Sequence, residues 1–433
     1  MKRFYQKALE KEVFSLLSEV ASSTETPAYV VGGYVRDYLL DIDNDDIDIV
    51  VEGSGIEFAR VFANKVNGKF SYYENYGTAM VKFNDQEIEF VGARKEMYER
   101  GSRKPIVEEG TLYDDISRRD FTINAMALSL NQDNYGELID YFNGYSDLQN
   151  KLIRTPLEPS ITFSDDPLRM FRAVRFMSKL AGFEIDEKTK EAIKENVFRT
   201  EILTRERITG ELEKMLSYYK PLIGLQTLKE LGLWEVAFVG CPYDELHVQC
   251  ANMVGKVSLR WFFIAMTRYN NSVTDNFKVF TNAMRLPNDL ASYMGRVYDT
   301  FYEFVYMSKP EITVSEIRHV LYKSGKEASD GIMSLWVYLR LVGCYDESDV
   351  FDWYTYMASL FSENERFIDF KLPCSGREIG EWAGLPEGVE LGRLISEIKE
   401  EILSGRISES RQSIYAFVRY KQFKKKYFKN GEF

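Results

Sequence analysis

Between residues 25 and 145 the apolar positions fall in short runs, AYVVGG, DIDIVVEG, TAMVKF, EIEFVGA, NAMALSL and GELIDYF, punctuated by Gly and Asn. Short runs bounded by turn residues predict β-strands. Helical spacing lies between some of them, in YVRDYLL and GIEFARVFANKVNG. The pattern predicts an α/β or α+β module built on one sheet. After residue 165 apolar residues recur every three or four positions almost to the end, as in PLRMFRAVRFMSKLAG, RITGELEKMLSYY and GRLISEIKEEILSG, which predicts a helical remainder. The start, MKRFYQKALEKEVFSLL, has the same spacing and predicts an amphipathic helix, whereas a signal peptide needs an unbroken apolar stretch. No apolar run approaches the roughly 18 residues of a membrane span.

Composition narrows the chemistry. A chain of 433 residues is too long for one ordinary core and predicts two to four packed modules. Its net charge of −12 argues against a protein that coats phosphates everywhere, and leaves room for a local basic groove. The four cysteines, Cys241, Cys250, Cys344 and Cys374, form no CxxC pair, which argues against a thiolate zinc site or disulfide framework and fits a reducing cytoplasm. With His247 and His319 as the only histidines, metal or acid–base chemistry must run mainly on carboxylates, which favour magnesium.

Several clusters offer such chemistry. In AYVVGGYVRDYLL a strand runs into Gly32 and Gly33 and then a helix with Arg36 one turn in, a shape that suits either a plain turn or an anion site. In DIDIVV the alternation puts Asp46 and Asp48 on one strand face and Ile47, Ile49 and Val51 in the core. Two carboxylates so placed bridge divalent metal or decorate a solvated face. Asp41, Asp43, Asp45 and Glu52 match positions of a calcium loop, but its required Gly is Asp46 and a strand follows, which excludes that reading. Glu89 on a later strand is a candidate third carboxylate, or an outward strand residue. The charged segment from Arg94 to Glu109 reads as a mobile loop. In SRRDFTINAMAL, Arg118, Arg119, Asp120 and Asn124 suit a triphosphate and a ribose, or a capping cluster. In SDDPLRMFRAVRF, Asp166 is the expected N-cap with Pro167 at the first helical position, and Arg169 and Arg172 follow on its face. An Asp beside an Arg forms an i,i+3 pair or presents acceptor and donor to a base edge. Arg207 and Glu211, spaced i,i+4, are expected to brace their helix. Near the end, Arg419, Lys421, Lys424, Lys425, Lys426 and Lys429 interleave with Tyr420, Phe423, Tyr427 and Phe428, an RNA-binding pattern or a solvated helix end with its aromatics turned inward.

In this order the motifs resemble the class II tRNA nucleotidyltransferases, the CCA-adding enzymes, which share a head with bacterial poly(A) polymerases. GGYVRDYLL with Asp46-Ile-Asp48 is similar to the family's first motif and RRDFTINA to its second. Asp140 through Asp147 resembles the head-to-neck motif. DDPLRMFR is similar to the fourth, with Asp165 where Glu is commoner, and Arg207 with Glu211 to the fifth. The resemblance implies an α+β fold, a nucleotidyltransferase head with a small mixed sheet followed by an all-α neck, body and tail. It implies that Asp46 and Asp48 hold two magnesium ions, with Glu89 a further catalytic candidate. Gly32, Gly33, Arg36, Arg118, Asp120, Asn124 and Arg172 would line the nucleotide, and Asp166 and Arg169 would pair with the incoming base of CTP or ATP.

The implied division is a catalytic head at 1–150, a nucleotide-selecting neck at 151–235, a body at 236–350 and a tRNA-binding tail at 351–433. Many relatives carry an HD phosphohydrolase domain in the body. Here VSLRWFFIAMTRYNN stands where its His-Asp pair would be, so no HD hydrolase activity is expected. The expected activity is addition or repair of the tRNA 3′-CCA end, in the cytoplasm. Partial CC- or A-addition, poly(A) polymerase activity and a non-catalytic RNA-binding paralogue are the alternatives. A shortened loop accompanies CC-only addition in the family, so the full-length 94–109 segment favours CCA or A addition.

Overall fold

The apolar runs of the first half assemble into one mixed sheet in a computed structural model, which describes residues 3–74, 77–97, 106–268, 273–306, 312–343 and 347–427. Its strands are β1 (Ala28–Val31), β2 (Ile47–Val51), β3 (Lys69–Tyr73), β4 (Thr78–Phe83), β5 (Gln86–Gly92), β8 (Ala127–Ser129) and β9 (Leu138–Ile139). They lie in the order β3-β4-β5-β2-β1-β8-β9. β2 and β5 are parallel, and the other pairs are antiparallel. Between β5 and β8, β6 (Arg94–Met97) and β7 (Ile106–Glu109) pair as an antiparallel ribbon where a loop was expected. The tip of that segment, 98–105, lies outside the described residues.

Both faces of the sheet are covered. Helices α1 (Glu12–Ser23), α2 (Gly33–Leu39) and α3 (Gly55–Val66) follow the helical spacing of the sequence. α3 starts at Ser54, whose side chain accepts from the Glu57 N–H, and ends at left-handed Asn67. Phe58 and Phe62 of α3 meet Phe90 of β5 at ring separations of 6.0 and 5.7 Å. Each such buried ring contributes roughly 1.5–3 kcal/mol. On the other face Val31, Val50, Ala93, Ala125 and Ala127 pack with Leu112 and Ile116 of α4 (Leu112–Ser117). The N-terminal segment is a 3₁₀ turn at Gln6–Leu9 followed by α1, in place of one continuous helix. Its first residues are drawn to the sheet edge, where Leu138 donates to the Arg3 carbonyl and Tyr5 to that of Gly136.

Helical packing takes over with α5 (Gly144–Gln149), α6 (Pro159–Asp165), α7 (Leu168–Lys179), α8 (Glu187–Asn196), α9 (Arg205–Ser217), α10 (Leu222–Glu230) and α11 (Trp234–Ala237). A short parallel pair, β10 (Leu152–Ile153) with β11 (Glu184–Ile185), pins α7 at its end. Residues 1–239 form one compact unit and 240–433 a second.

The second unit is helical: α12 (Glu245–Met253), α13 (Val257–Met266), α14 (Val273–Met284), α15 (Asn288–Tyr306), α16 (Val314–Ser324), α17 (Ala328–Val342), α18 (Glu347–Glu363), α19 (Gly376–Ala383), α20 (Val389–Leu403) and α21 (Arg411–Tyr427). Capping boxes start α16 and α19, at Thr313 with Glu316 and Ser375 with Glu378. α13 buries Leu259, Trp261, Phe262, Phe263 and Ile264, as expected of a helix that is apolar all round. The two histidines serve different helices: His247 faces Asp244 at 2.7 Å, and His319 faces Glu400 at 3.0 Å. No helix among the described residues is long and apolar enough to cross a membrane.

Candidate active site

The turn from β1 to α2 is the floor of the site. Gly32 has a φ of +71°, and a Cβ there would lie 2.7 Å from Arg119 Nη1 and 3.7 Å from Asp48 Oδ2. The positive φ favours glycine here, and any side chain would also have to push the Arg119 guanidinium aside. At Gly33 an added Cβ would meet Asn44 Nδ2 at 3.5 Å and Arg36 Nη2 at 3.8 Å.

Beside this turn the carboxylates line up. Asp48 lies in β2, paired in register with Glu89 of β5. Asp46 is exposed immediately before the strand, its N–H donating to Asn44 Oδ1 at 2.8 Å. Burial pushes the Asp48 acid up to about 6, the nearby Arg119 charge opposes this, and Glu89 and Asp46 raise it further. A carboxylate that is short of positive charge and flanked by two more suits a hard divalent cation, with Asp46 and Asp48 as holders and Glu89 alongside. Among the described residues no three such groups converge closely enough to form a metal site by themselves.

The arginines of the second motif stand on a support that the sequence pattern alone does not single out. Asp115 of α4 is fully buried and ion-paired to both Arg118 and Arg119. Its place three and four residues ahead of the arginines was the available signal. Arg119, which the resemblance leaves without a role, flanks Gly32 together with Asp48, and its charge acts on that carboxylate.

Three residues expected to touch nucleotide are instead buried in the wall behind the turn. Arg36 is 3% exposed; its Nε donates to Asp37 Oδ1 at 2.7 Å, and its Nη1 donates to Asn124 Oδ1 at 2.5 Å. Asp120 Oδ1 accepts from the Phe121 N–H at 2.8 Å and from Asn124 Nδ2 at 3.0 Å. Its Oδ2 accepts from Arg172 Nε at 2.7 Å. Burial opposes the charge on Asp120, but Arg172 and these hydrogen bonds outweigh it and hold the acid below its usual range. Arg172 also faces Glu211 at 3.8 Å, and Glu211 accepts from Arg175 Nε at 2.5 Å. A buried charge is tolerated when it is paired this fully. Arg36, Asp120, Asn124 and Arg172 thus tie α2, α7 and α9 together.

The α6–α7 junction carries the last pair. The regular helix starts at Leu168 with Pro167 as its N-cap, one residue later than expected, and Asp166 Oδ1 accepts the Leu168 N–H at 3.2 Å from just outside it. Its partner is Arg207 of α9, at 3.3 Å, and not Arg169. Arg169 Nη2 donates to the Arg118 carbonyl at 2.6 Å, which brings the fourth motif onto the second. Arg207 and Glu211 consequently brace between helices and not along α9, because each has a closer partner on α6–α7.

These motifs coincide with two family matches, a poly(A) polymerase head domain over residues 28–154 and a probable RNA- and SrmB-binding site of polymerase A over 182–243. Across the whole chain, a Thermotoga maritima CCA-adding enzyme complexed with tRNA superposes with a TM-score of 0.71 at 26% identity, covering 97% of this chain and 99% of that one. Residues 28–154 thus carry the poly(A) polymerase head, and the chain is similar along its length to the class II tRNA nucleotidyltransferase and poly(A) polymerase family. By sequence it is 29% identical over 404 residues to a Geobacillus CCA-adding enzyme, 90% of this chain and 92% of the relative. It is 41% identical over 250 residues to an A-adding tRNA nucleotidyltransferase of Geobacter sulfurreducens, 57% of this chain and 28% of the relative. The chain spans between 28% and 55% of the length of three A-adding relatives.

Proposed function

We propose that this chain adds or repairs the 3′-terminal CCA of tRNA from CTP and ATP, releasing pyrophosphate, without a nucleic-acid template. The observation that carries the reading is the under-neutralised Asp48, with Asp46 and Glu89 around it, facing Arg119 across the Gly32 turn. Magnesium held by Asp46 and Asp48 would supply the charge that activates the RNA 3′-hydroxyl and polarises the α-phosphate. Gly32 leaves room for the triphosphate, and Arg118 and Arg119 offer planar donors to it. Asp166 accepts from the exocyclic amine of C or A, and Arg169 donates to the neighbouring ring nitrogen. U and G present the opposite pattern and are refused. Arg207 and the Arg118 carbonyl hold these two readers in place.

Within this reading the head is 1–150, the neck 151–235, a degenerate HD-like body 236–350 and the tail 351–433, which binds tRNA. Agreement along nearly the full length with CCA-adding enzymes favours complete CCA addition. A-addition alone is the second reading, kept because an A-adding relative is 41% identical over 250 residues, beside CCA-adding relatives at 39% and 40% over 211 and 217.

The test is extension of three tRNA transcripts, ending at the discriminator base, at C and at CC, with Mg²⁺ and each NTP singly, then CTP with ATP. Addition of CCA that stops there is the expected result. One A added only to the CC-ended tRNA would replace it with A-addition, and long A tracts would indicate a poly(A) polymerase. No extension of any transcript would leave an RNA-binding paralogue.

A further inference from the structure

Adjacent guanidiniums repel, so Arg118 and Arg119 need an anchor if both are to face one anion. Asp115 is that anchor. It is 0% exposed, and each of its oxygens receives one arginine. Oδ1 accepts from Nε of Arg118 at 3.1 Å and from its Nη2, while Oδ2 accepts from Nε and Nη2 of Arg119 at 3.3 and 3.1 Å. Burial opposes this charge, but the two guanidiniums keep the acid below its usual range.

The anchor is itself fixed to the catalytic strand. The Leu112 N–H at the start of α4 donates to Glu52 Oε1 at 2.8 Å, one residue beyond β2. Gly110 donates to the Ala93 carbonyl at 3.0 Å, and Ala93 donates to that of Val51 at 2.7 Å. A capping box of Thr111 and Asp114 closes the helix start. α4 therefore moves with the strand that carries Asp48. On the far side, Arg119 leans over Gly32 and the Arg118 carbonyl holds Arg169.

We propose that Asp115 is a positioning residue that holds Arg118 and Arg119 fanned toward the triphosphate before any nucleotide arrives. The inference rests on the nucleotide reading of this site. Asp115 touches no substrate; it removes the repulsion between two cations and the freedom of two long side chains, both of which an incoming anion would otherwise have to overcome.

The probe is inorganic tripolyphosphate, titrated calorimetrically into the full chain, alongside steady-state extension of tRNA. In Asp115→Asn the tripolyphosphate Kd and the KM for CTP and ATP should rise together by about tenfold or more, with kcat within about threefold and KM for tRNA unchanged. Asp115→Glu should recover part of the loss. In an Arg118→Gln, Arg119→Gln background, Asp115→Asn should add nothing further, because it acts through those two side chains. A purely structural Asp115 would lower the melting temperature of Asp115→Asn with anion affinity intact, or add its full penalty to the arginine variant; either result overturns the proposal. Should Asp115→Asn melt below the assay temperature, Asp115→Glu, with its charge kept but displaced by a methylene, must still weaken tripolyphosphate or the proposal falls. A wild-type chain that binds tripolyphosphate yet extends no RNA would remove the tRNA reading and leave this inference standing. A wild-type chain that does not bind it would remove the inference.

Discussion

Two groups of charged side chains within residues 1–239 are built on opposite terms. In the first, Asp48 and Glu89 pair across the sheet with Asp46 just before the strand, none of them ion-paired to any described residue, and Asp48 is pushed up to about 6. In the second, Arg36, Asp37, Asp120, Asn124, Arg172, Arg175 and Glu211 satisfy one another in the wall behind. Both groups contain aspartate and glutamate, but the second alone adds arginines and an asparagine. The difference between these two groups is saturation: the buried wall neutralises its own charges, whereas the carboxylates around Asp48 are left with a surplus of negative charge.

The comparison breaks most visibly if the unsaturated group is removed. Asp46→Ala with Asp48→Ala should lower single-turnover extension by at least about a thousandfold, because Glu89 would be the one carboxylate of the three left to face the metal. The melting temperature should not fall, since no native ion pair is removed. A drop of several degrees would show that these aspartates belong with the braces.

The saturated group should behave in the reverse manner. Asp120→Ala leaves Arg172 without its main partner and Asn124 without its acceptor, and should cost about 3–5 kcal/mol in urea unfolding. Stability unchanged to within about 1 kcal/mol would return Asp120 to the role of a ribose ligand.

A subtler outcome sharpens the same contrast. The Asp48 acid is raised in the folded chain, so the native state binds a proton more readily than the unfolded one between pH 3.8 and about 6. Its contribution to stability is present below that window and is lost as pH rises through it. In metal-free buffer, Asp48→Asn should therefore be more stable than wild type by about 1–3 kcal/mol at pH 7.5, with the gap closing toward pH 4. A gap independent of pH would mean that the strain is steric.

Much of this architecture was legible in the sequence. The alternation of DIDIVV and EIEFVGA placed Asp48 and Glu89 on strands, and Gly32-Gly33 marked the turn because few other residues could make it. What escaped was partnership. RRDFTINA reads the same whether Asp120 faces a ribose or Arg172, since the partner lies 52 residues away on another helix. Arg207 and Glu211 have ideal spacing for pairing with each other, yet closer partners on α6–α7 win. β3 was missed because KFSYY, at an exposed sheet edge, lacks a buried face to impose alternation. The 94–109 ribbon was missed because dense charge hid its pairing.

The tail offers the mildest test of the same principle. Along α21, Ile414 and Val418 are buried and Lys421 is paired with Glu397, whereas Tyr420 and Phe423 are 57% and 54% exposed and Lys424 and Lys425 lie open. The helix thus has a buried face and an exposed one, and Tyr420 and Phe423, expected either to turn inward or to meet RNA, both lie on the exposed one. Phe428 and Lys429 lie outside the described residues. Truncation at Tyr415 would remove Val418 from the core and confuse folding with binding, so point changes on the open face are the cleaner probe. Lys424→Ala with Lys425→Ala should weaken tRNA binding only a few-fold at moderate salt and flatten the log Kd against log salt slope by about 1 for each phosphate left without its lysine. Extension at saturating tRNA should be unchanged. An unaltered slope would mean that the open face of α21 meets no phosphate, and that unsatisfied charge marks a ligand site only where burial makes it costly, as at Asp48.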